Sequence, residues 1–256
     1  MKGLTQNLKV LLYHRIVADD SQNRGSEICL PQSTFRRHLE YLDRLGFTTI
    51  TFEDYNLCMK GELNFPKKPI ILSFDDGYAD TFEQAFPLIQ EFGMRGVVFV
   101  LGDRTIRVNW WDRDLAVPTP LLQDHQILEL HEAGWEIGSH ALTHKPLLHL
   151  SKEEMWEEVS RSRMNLEIML NRPVVSFAYP FGQVTPVIKQ IVKDGGYIFG
   201  CAAWTGPRFI EEDPLEVRRV TVNERIGLPG FLFQVLGPYT TYRWLIWKLI
   251  QSKKVV

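Results

Sequence analysis

Asp75 and Asp76 stand side by side after the apolar run Ile70-Ile71-Leu72 and its sequel Ser73-Phe74, and His140 and His144 lie four residues apart after Ile137-Gly138-Ser139. Each pair alone has an ordinary explanation. Asp-Gly sequences favour turns and aspartate caps helices, and two histidines at that spacing occur by chance, sharing a face if the segment is helical or meeting across a tight turn. Together they define a chemistry. Two imidazoles and one carboxylate form a facial metal triad with positions open for water and substrate, the donor set of Lewis-acid hydrolases and of non-haem iron enzymes. The second, adjacent carboxylate gives a hydrolase the base it needs beside the ion. If the scissile bond is an amide, its nitrogen must be protonated as it leaves, and a histidine on the far side would serve.

Such groups must be delivered to one rim. Strand-like runs occur at Lys9 to Tyr13, Phe47 to Ile50, Ile70 to Phe74, Val97 to Leu101, Trp135 to Gly138, Val174 to Ala178, Tyr197 to Gly200 and Val217 to Val222. Helical signals lie between them. Phe35, Leu39, Leu42 and Leu45 keep helical spacing, Ser151 with Glu154 makes a capping box for a helix running towards Met169, and Thr185-Pro186 starts another that Gly195-Gly196 stops. Strands alternating with helices imply parallel pairing, and about seven such units predict a single-domain α/β fold, a distorted (β/α) barrel. Barrels of this kind carry their chemistry at the carboxyl ends of strands. Four polar clusters fall there: Tyr13-His14-Arg15, Ser73 to Tyr78, Gly138 to His144, and Phe177 to Gly182.

The 256 residues are 45% hydrophobic, enough for one large core, and a formal net charge of -2 argues against a nucleic-acid partner. Cys29, Cys58 and Cys201 have no paired spacing and read as ordinary buried thiols. After Lys2 comes the polar run Leu4-Thr5-Gln6-Asn7 with no apolar stretch before the first strand, which predicts a cytoplasmic location. The catalytic domain is expected over 1–230. The segment 231–256 mixes Trp244, Trp247, Leu249 and Ile250 with Lys248, Lys253 and Lys254. It reads as a helix closing the core or as an amphipathic helix on the inner membrane surface.

The clusters resemble those of the NodB-homology polysaccharide deacetylases, carbohydrate esterase family four, over about Lys9 to Val222. Ser73-Phe74-Asp75-Asp76-Gly77-Tyr78 matches the first motif, which implies Asp75 as catalytic base and Asp76 as metal ligand. Ser139-His140 to His144 matches the second, which implies both histidines as ligands. The resemblance implies a distorted barrel and a divalent ion, with zinc first and cobalt, nickel or manganese as alternatives. It also implies an N-acetylated glycan as substrate.

Two departures matter. Ala178 stands where many members have an arginine that orients the base, and no histidine follows His149, whereas those members keep a late catalytic one. The chain is similar instead to the branch that begins with Tyr-His-Arg, as in the poly-N-acetylglucosamine deacetylases, which implies His14 as the acid. Elimination agrees, because His38, His125, His131 and His149 lie in or near helical segments. Arg219, in the last strand, is the first choice for the missing arginine and Arg15 the second. The Pro180-Phe181 turn is expected to offer the Phe181 N–H to an oxyanion, as the family's equivalent turn does. Trp110, Trp111 and Asp112 read equally as a sugar groove or as packing. A glycan-binding barrel without turnover and an iron-dependent oxygenase stand as the rival readings.

Overall fold

The computed structural model describes residues 8–112, 118–236, 239, 241–242 and 244–246. The polar start and the terminal Trp247, Lys253 and Lys254 lie outside the described residues. The strands are β1 (Lys9–Tyr13), β2 (Arg15–Val17), β3 (Cys29–Pro31), β4 (Thr48–Thr49), β5 (Pro69–Phe74), β6 (Val97–Val100), β7 (Glu136–Ser139), β8 (Ser176–Ala178), β9 (Phe199–Cys201) and β10 (Val220–Thr221). The helices are α1 (Gln32–Arg44), α2 (Phe52–Lys60), α3 (Phe86–Glu91), α4 (Asp124–Glu132), α5 (Lys152–Leu170), α6 (Pro186–Asp194) and α7 (Gly227–Leu236). All the pairings within the main sheet are parallel, in the order β10-β1-β5-β6-β7-β8-β9, with β4 on the first residues of β5. The result is the expected distorted barrel of seven main strands. Its two end strands do not pair, but Cys201 bridges to Val217 just before β10 and the Ala202 N–H donates to Val217 O at 2.9 Å.

The parity of the strands explains where the polar residues go. Leu11 and Tyr13 pack with Ile70, Leu72 and Phe74 in the core shared with the helices, whereas Val10 packs with Ile71, Val97, Phe99, Cys201 and Val217 on the inner face. Side chains alternate along a strand, so His14 continues the inward row of Val10 and Leu12. Asp75 continues that of Ile71 and Ser73, and Arg219 that of Val217.

Local signals act as expected where they are strong. Ser151 and Glu154 form the reciprocal capping box of α5, and the Thr185 hydroxyl accepts from the Ile188 N–H at the start of α6. Thr51 and Asp54 form a second capping box at α2. The first strand keeps its expected bounds, Lys9–Tyr13, other strand ends shift by up to three residues, and the small parallel sheet of β2 and β3 is an addition to the expected elements. Cys29, Cys58 and Cys201 are buried free thiols. Residue 230, the expected end of the catalytic domain, falls inside α7, whose Phe231 and Val235 belong to the main core. Among the described residues, no helix is long and apolar enough to cross a membrane.

Candidate metal centre and catalytic pocket

Asp75 and Asp76 are neighbours in a chain whose side chains should point to opposite faces, yet both line one pocket. The backbone resolves this. Asp75 still belongs to the ladder, its N–H donating to Tyr13 O at 3.0 Å, and then Asp76 and Gly77 turn left-handed with φ of 72° and 67°. The turn swings the second carboxylate back over the rim. Gly77 has a second reason to be glycine, because a Cβ there would lie 3.0 Å from Val100 Cγ1. Left-handed backbone is costly for residues with side chains. Of the five such residues among those described, four are Asp76, Ala141, His144 and Phe181, and the fifth, Asn171, caps α5. Strain of this kind persists only where surrounding structure over-determines it, and here it gathers around one pocket.

His140 follows β7 with its N–H on Val100 O at 2.8 Å, and two left-handed residues then return the chain so that His144 comes back beside it. The four-residue spacing is therefore a double turn, not a helix. Asp76 Oδ1 lies 3.1 Å from both His140 Nε2 and His144 Nε2, and all three residues are buried. Donors at about 2.0–2.1 Å from a tetrahedral ion stand about 3.3 Å apart, close to the two Asp76–histidine separations, and the three donors lie within 4.8 Å of one another, a grouping that could hold a divalent metal. His140 Nδ1 donates to Ala178 O at 2.8 Å, which orients the ring and would leave Nε2 free to ligate an ion held with Asp76. The Ala178 position that lacks the family's arginine thus anchors a histidine through its backbone.

Arg219, just before β10, reaches Asp75. Its two terminal nitrogens donate to the two oxygens of Asp75 at 2.6 and 2.7 Å, and Nε donates to Ala202 O at 2.8 Å. Burial raises the Asp75 pKa, but the Arg219 charge, then His140, outweigh it and leave the carboxyl below its ordinary value. Burial opposes ionisation of Asp76 as well, and the two histidines hold it well below its ordinary value. Arg15, the second choice, does not reach Asp75. It pairs with Asp80 at 2.7 Å, because it lies one residue beyond His14 and so faces the other way.

The pocket above these groups has a volume of about 340 Å³. His14, half-buried, lines it along with the metal-type trio, Trp111, Asp112 and Phe181. The turn at Phe181 has φ 59°, and its first hydrogen bond runs from the Gly182 N–H to Tyr179 O. The Phe181 N–H precedes that bond and has no carbonyl within the turn to donate to. Trp111 stacks on the His144 ring at 4.1 Å with an interplanar angle of 15°, so it belongs to the pocket, while Trp110 stands half-exposed against its edge. Tyr78 hydroxyl donates to Asp112.

Glu158 of α5 was missed. It accepts from the Thr143 N–H at 2.8 Å and from the Thr143 hydroxyl at 2.5 Å, clamping the turn that carries His144. Its only sequence trace is a glutamate that burial alone distinguishes from its exposed neighbours Glu153, Glu154 and Glu157.

A parallel barrel with buried carboxylate and imidazole groups at the carboxyl ends of its strands, and a buried guanidinium reaching them from just before β10, defines the class: a barrel with a hydrolase-type pocket. The polysaccharide deacetylase family model matches residues 62–200, more than half of the chain. The chain belongs to that family. It is 23% identical over 232 residues to the Bacillus subtilis (strain 168) protein YxkH, named as a polysaccharide deacetylase, covering 91% of this chain and 75% of that protein. It is 21% identical over 180 residues to the poly-beta-1,6-N-acetyl-D-glucosamine N-deacetylase of Staphylococcus aureus, covering 66% of this chain and 59% of that protein. Less than two thirds of the staphylococcal enzyme is therefore represented. The fold is similar to that of the Streptococcus pyogenes deacetylase PplD in complex with acetate, with a TM-score of 0.77 at 21% identity over 90% of this chain and 98% of that one.

Proposed function

We propose that this protein is a metal-dependent N-deacetylase that removes acetyl groups from the amino sugars of an oligosaccharide, polysaccharide or lipid-linked glycan. The observation that carries this reading is the division of the adjacent carboxylates. Asp75 is locked by Arg219, and Asp76 is turned towards two imidazoles. Adjacent identical residues with separate partners fit separate tasks.

Asp76, His140 and His144 would hold a divalent ion, zinc by the nature of the donors, which when bound supplies Lewis-acid polarisation of the carbonyl and a more acidic water. Asp75, kept ionised by Arg219, takes a proton from the attacking water. Arg219 fixes the carboxylate's orientation through both oxygens, so the base does not rotate away. The Phe181 N–H donates to the oxygen that becomes negative as the carbonyl carbon turns tetrahedral. His14 then passes a proton to the departing nitrogen, and acetate and a free amine are the products.

The test separates these roles. Acetate release is measured over N-acetylglucosamine oligomers and lipid-linked sugars with metal added back. His14→Gln should bind metal normally, yet hydrolyse the N-acetyl sugar at least about 100-fold more slowly. It should be much less impaired on an activated aryl acetate, whose leaving group departs without a proton. Equal losses on amide and ester would make His14 structural. Oligosaccharide binding with no acetate released under any metal would leave a glycan-binding barrel. Placement at the inner membrane surface belongs to the same proposal and is read from sedimentation with anionic vesicles.

A further inference from the structure

The two histidines of the metal-type trio are held in different ways. His140 Nδ1 donates to Ala178 O at 2.8 Å, the kind of acceptor that a ligating imidazole almost always has behind it. His144 Nδ1 is buried and has no hydrogen-bond partner. Glu158 clamps the neighbouring Thr143 through its N–H and hydroxyl, which fixes the backbone turn but not the rotation of the imidazole about its own bonds. The ring is therefore fixed by what touches its faces and edges.

Three rings meet it. Phe181 and His140 both stand 4.8 Å away, with interplanar angles of 70° and 65°, so these are edge contacts. Among the described residues, Trp111 alone lies flat on the imidazole, at 4.1 Å and 15°. Trp111 Nε1 is itself enclosed without a partner, so no hydrogen bond places the indole either. Its place comes from the loop that carries it. The Asn109 N–H donates to Thr119 O at 3.0 Å and the Leu121 N–H to Arg107 O at 2.9 Å, pairing the two arms of that loop. The Leu122 N–H then donates to Gly77 O at 2.7 Å and the Ala79 N–H to Pro120 O at 3.0 Å, which ties the loop to the turn after Asp76. The Tyr78 hydroxyl donates to Asp112, and the indole packs against Tyr78, Leu101 and Leu121. Trp111 thus joins the segment of one presumptive ligand, Asp76, to the ring of another, His144.

The contact favours the loaded site over the empty one. A divalent ion on Nε2 draws electron density from the imidazole, and an electron-poor ring is attracted more strongly by the electron-rich face of an indole. A contact that strengthens on loading raises affinity.

We infer that Trp111 is a positioning residue of the metal centre: its indole holds the His144 ring in place of the missing hydrogen bond, and the Tyr78–Asp112 contact holds the indole. The inference rests on the metal-dependent part of the reading above and assumes nothing about the sugar.

It is tested on the whole chain by chelator competition with zinc and with cobalt, the visible absorption of the cobalt-loaded protein being recorded beside it. Trp111→Leu should weaken both affinities at least about 10-fold, the scale for groups that orient ligands, and should shift the cobalt band, because a ring free to turn changes the ligand field. Trp111→Tyr keeps a flat electron-rich face and should stay within about 3-fold of the parent. Trp110→Leu removes the neighbouring indole, which does not lie on His144, and should also stay within about 3-fold. Parent-like affinities and an unchanged cobalt band in Trp111→Leu overturn the inference, all the more if that variant raises KM for N-acetylglucosamine oligomers, since the indole would then serve the sugar. Equal losses in Trp110→Leu and Trp111→Leu also overturn it, because the loop would then need bulk and not a stack. Should Trp111→Leu fail to fold, Tyr78→Phe decides, since it loosens the indole through Asp112 without altering it. A loss of about 3-fold or more there supports the inference, and unchanged affinity overturns it. A parent protein that binds neither ion would sink the metal-dependent reading together with this one, whereas a parent that binds them no better than Trp111→Leu would sink this inference alone.

Discussion

Two buried arginine–aspartate pairs stand within a few residues of each other, and they behave in opposite ways. In the Arg219–Asp75 pair, both carboxylate oxygens are held, at 2.6 and 2.7 Å, and the aspartate pKa falls below its ordinary value. In the Arg15–Asp80 pair, one oxygen accepts from Arg15 Nε at 2.7 Å and the other from the Ile16 N–H at 3.3 Å, while Arg15 Nη1 is buried without a partner. There burial wins over Arg15, and the Asp80 carboxyl is pushed up to about 6. A buried charge must be repaid by geometry as well as by an opposite charge. The bidentate pair, with His140 adding to its field, keeps a base ionised. The single-contact pair keeps an acid close to neutrality, and it does not line the pocket.

The largest effect should come from the first pair. Arg219→Met strands Asp75 without its guanidinium, so turnover should fall at least about 100-fold and stability by about 3–5 kcal/mol. Arg15→Met should cost less, because Asp80 takes up a proton more readily, and it should leave turnover within a few-fold. Similar turnover losses in the two variants, measured beside urea unfolding, would erase the distinction.

A smaller, pH-dependent effect should come from the second pair. Asp80 holds its proton to about pH 6 when folded against an ordinary value of 3.8. Between those values the native state binds more protons than the unfolded chain, so stability falls as pH rises and the loss is complete above the folded pKa. Asp80→Asn should remove that slope. Relative to the parent, the variant should gain about 2–3 kcal/mol between pH 4 and pH 7. A pH-independent difference in urea midpoints would mean that Asp80 is ionised throughout.

The smallest effect tests the clamp behind the metal-type site. Glu158→Gln retains one acceptor for Thr143 and loses the other, so divalent affinity by chelator competition should weaken about 10-fold, the scale for groups that orient ligands. Unchanged affinity would show that the turn holds His144 without its help.

Much of this was legible in the sequence because it is local. Strand runs, capping boxes and the placing of Asp75, Asp76, His140 and His144 after apolar runs depend on neighbours in the chain. Even the choice between Arg219 and Arg15 had a local signal: Arg219 is in step with the inward Val217, and Arg15 is out of step with the inward Val10, Leu12 and His14. What only the tertiary structure decided is what spans sequence distance. Asp75 meets an arginine 144 positions away, and His140 is aligned by a carbonyl 38 positions away. His144 is steadied through Glu158, and Asn223 and Gln234 come together at a cavity beneath α7. Parity and propensity fix which way a side chain leaves its own strand. Which partner waits there depends on sheet order and on how the two edges of the barrel approach each other, quantities carried by no single stretch of chain.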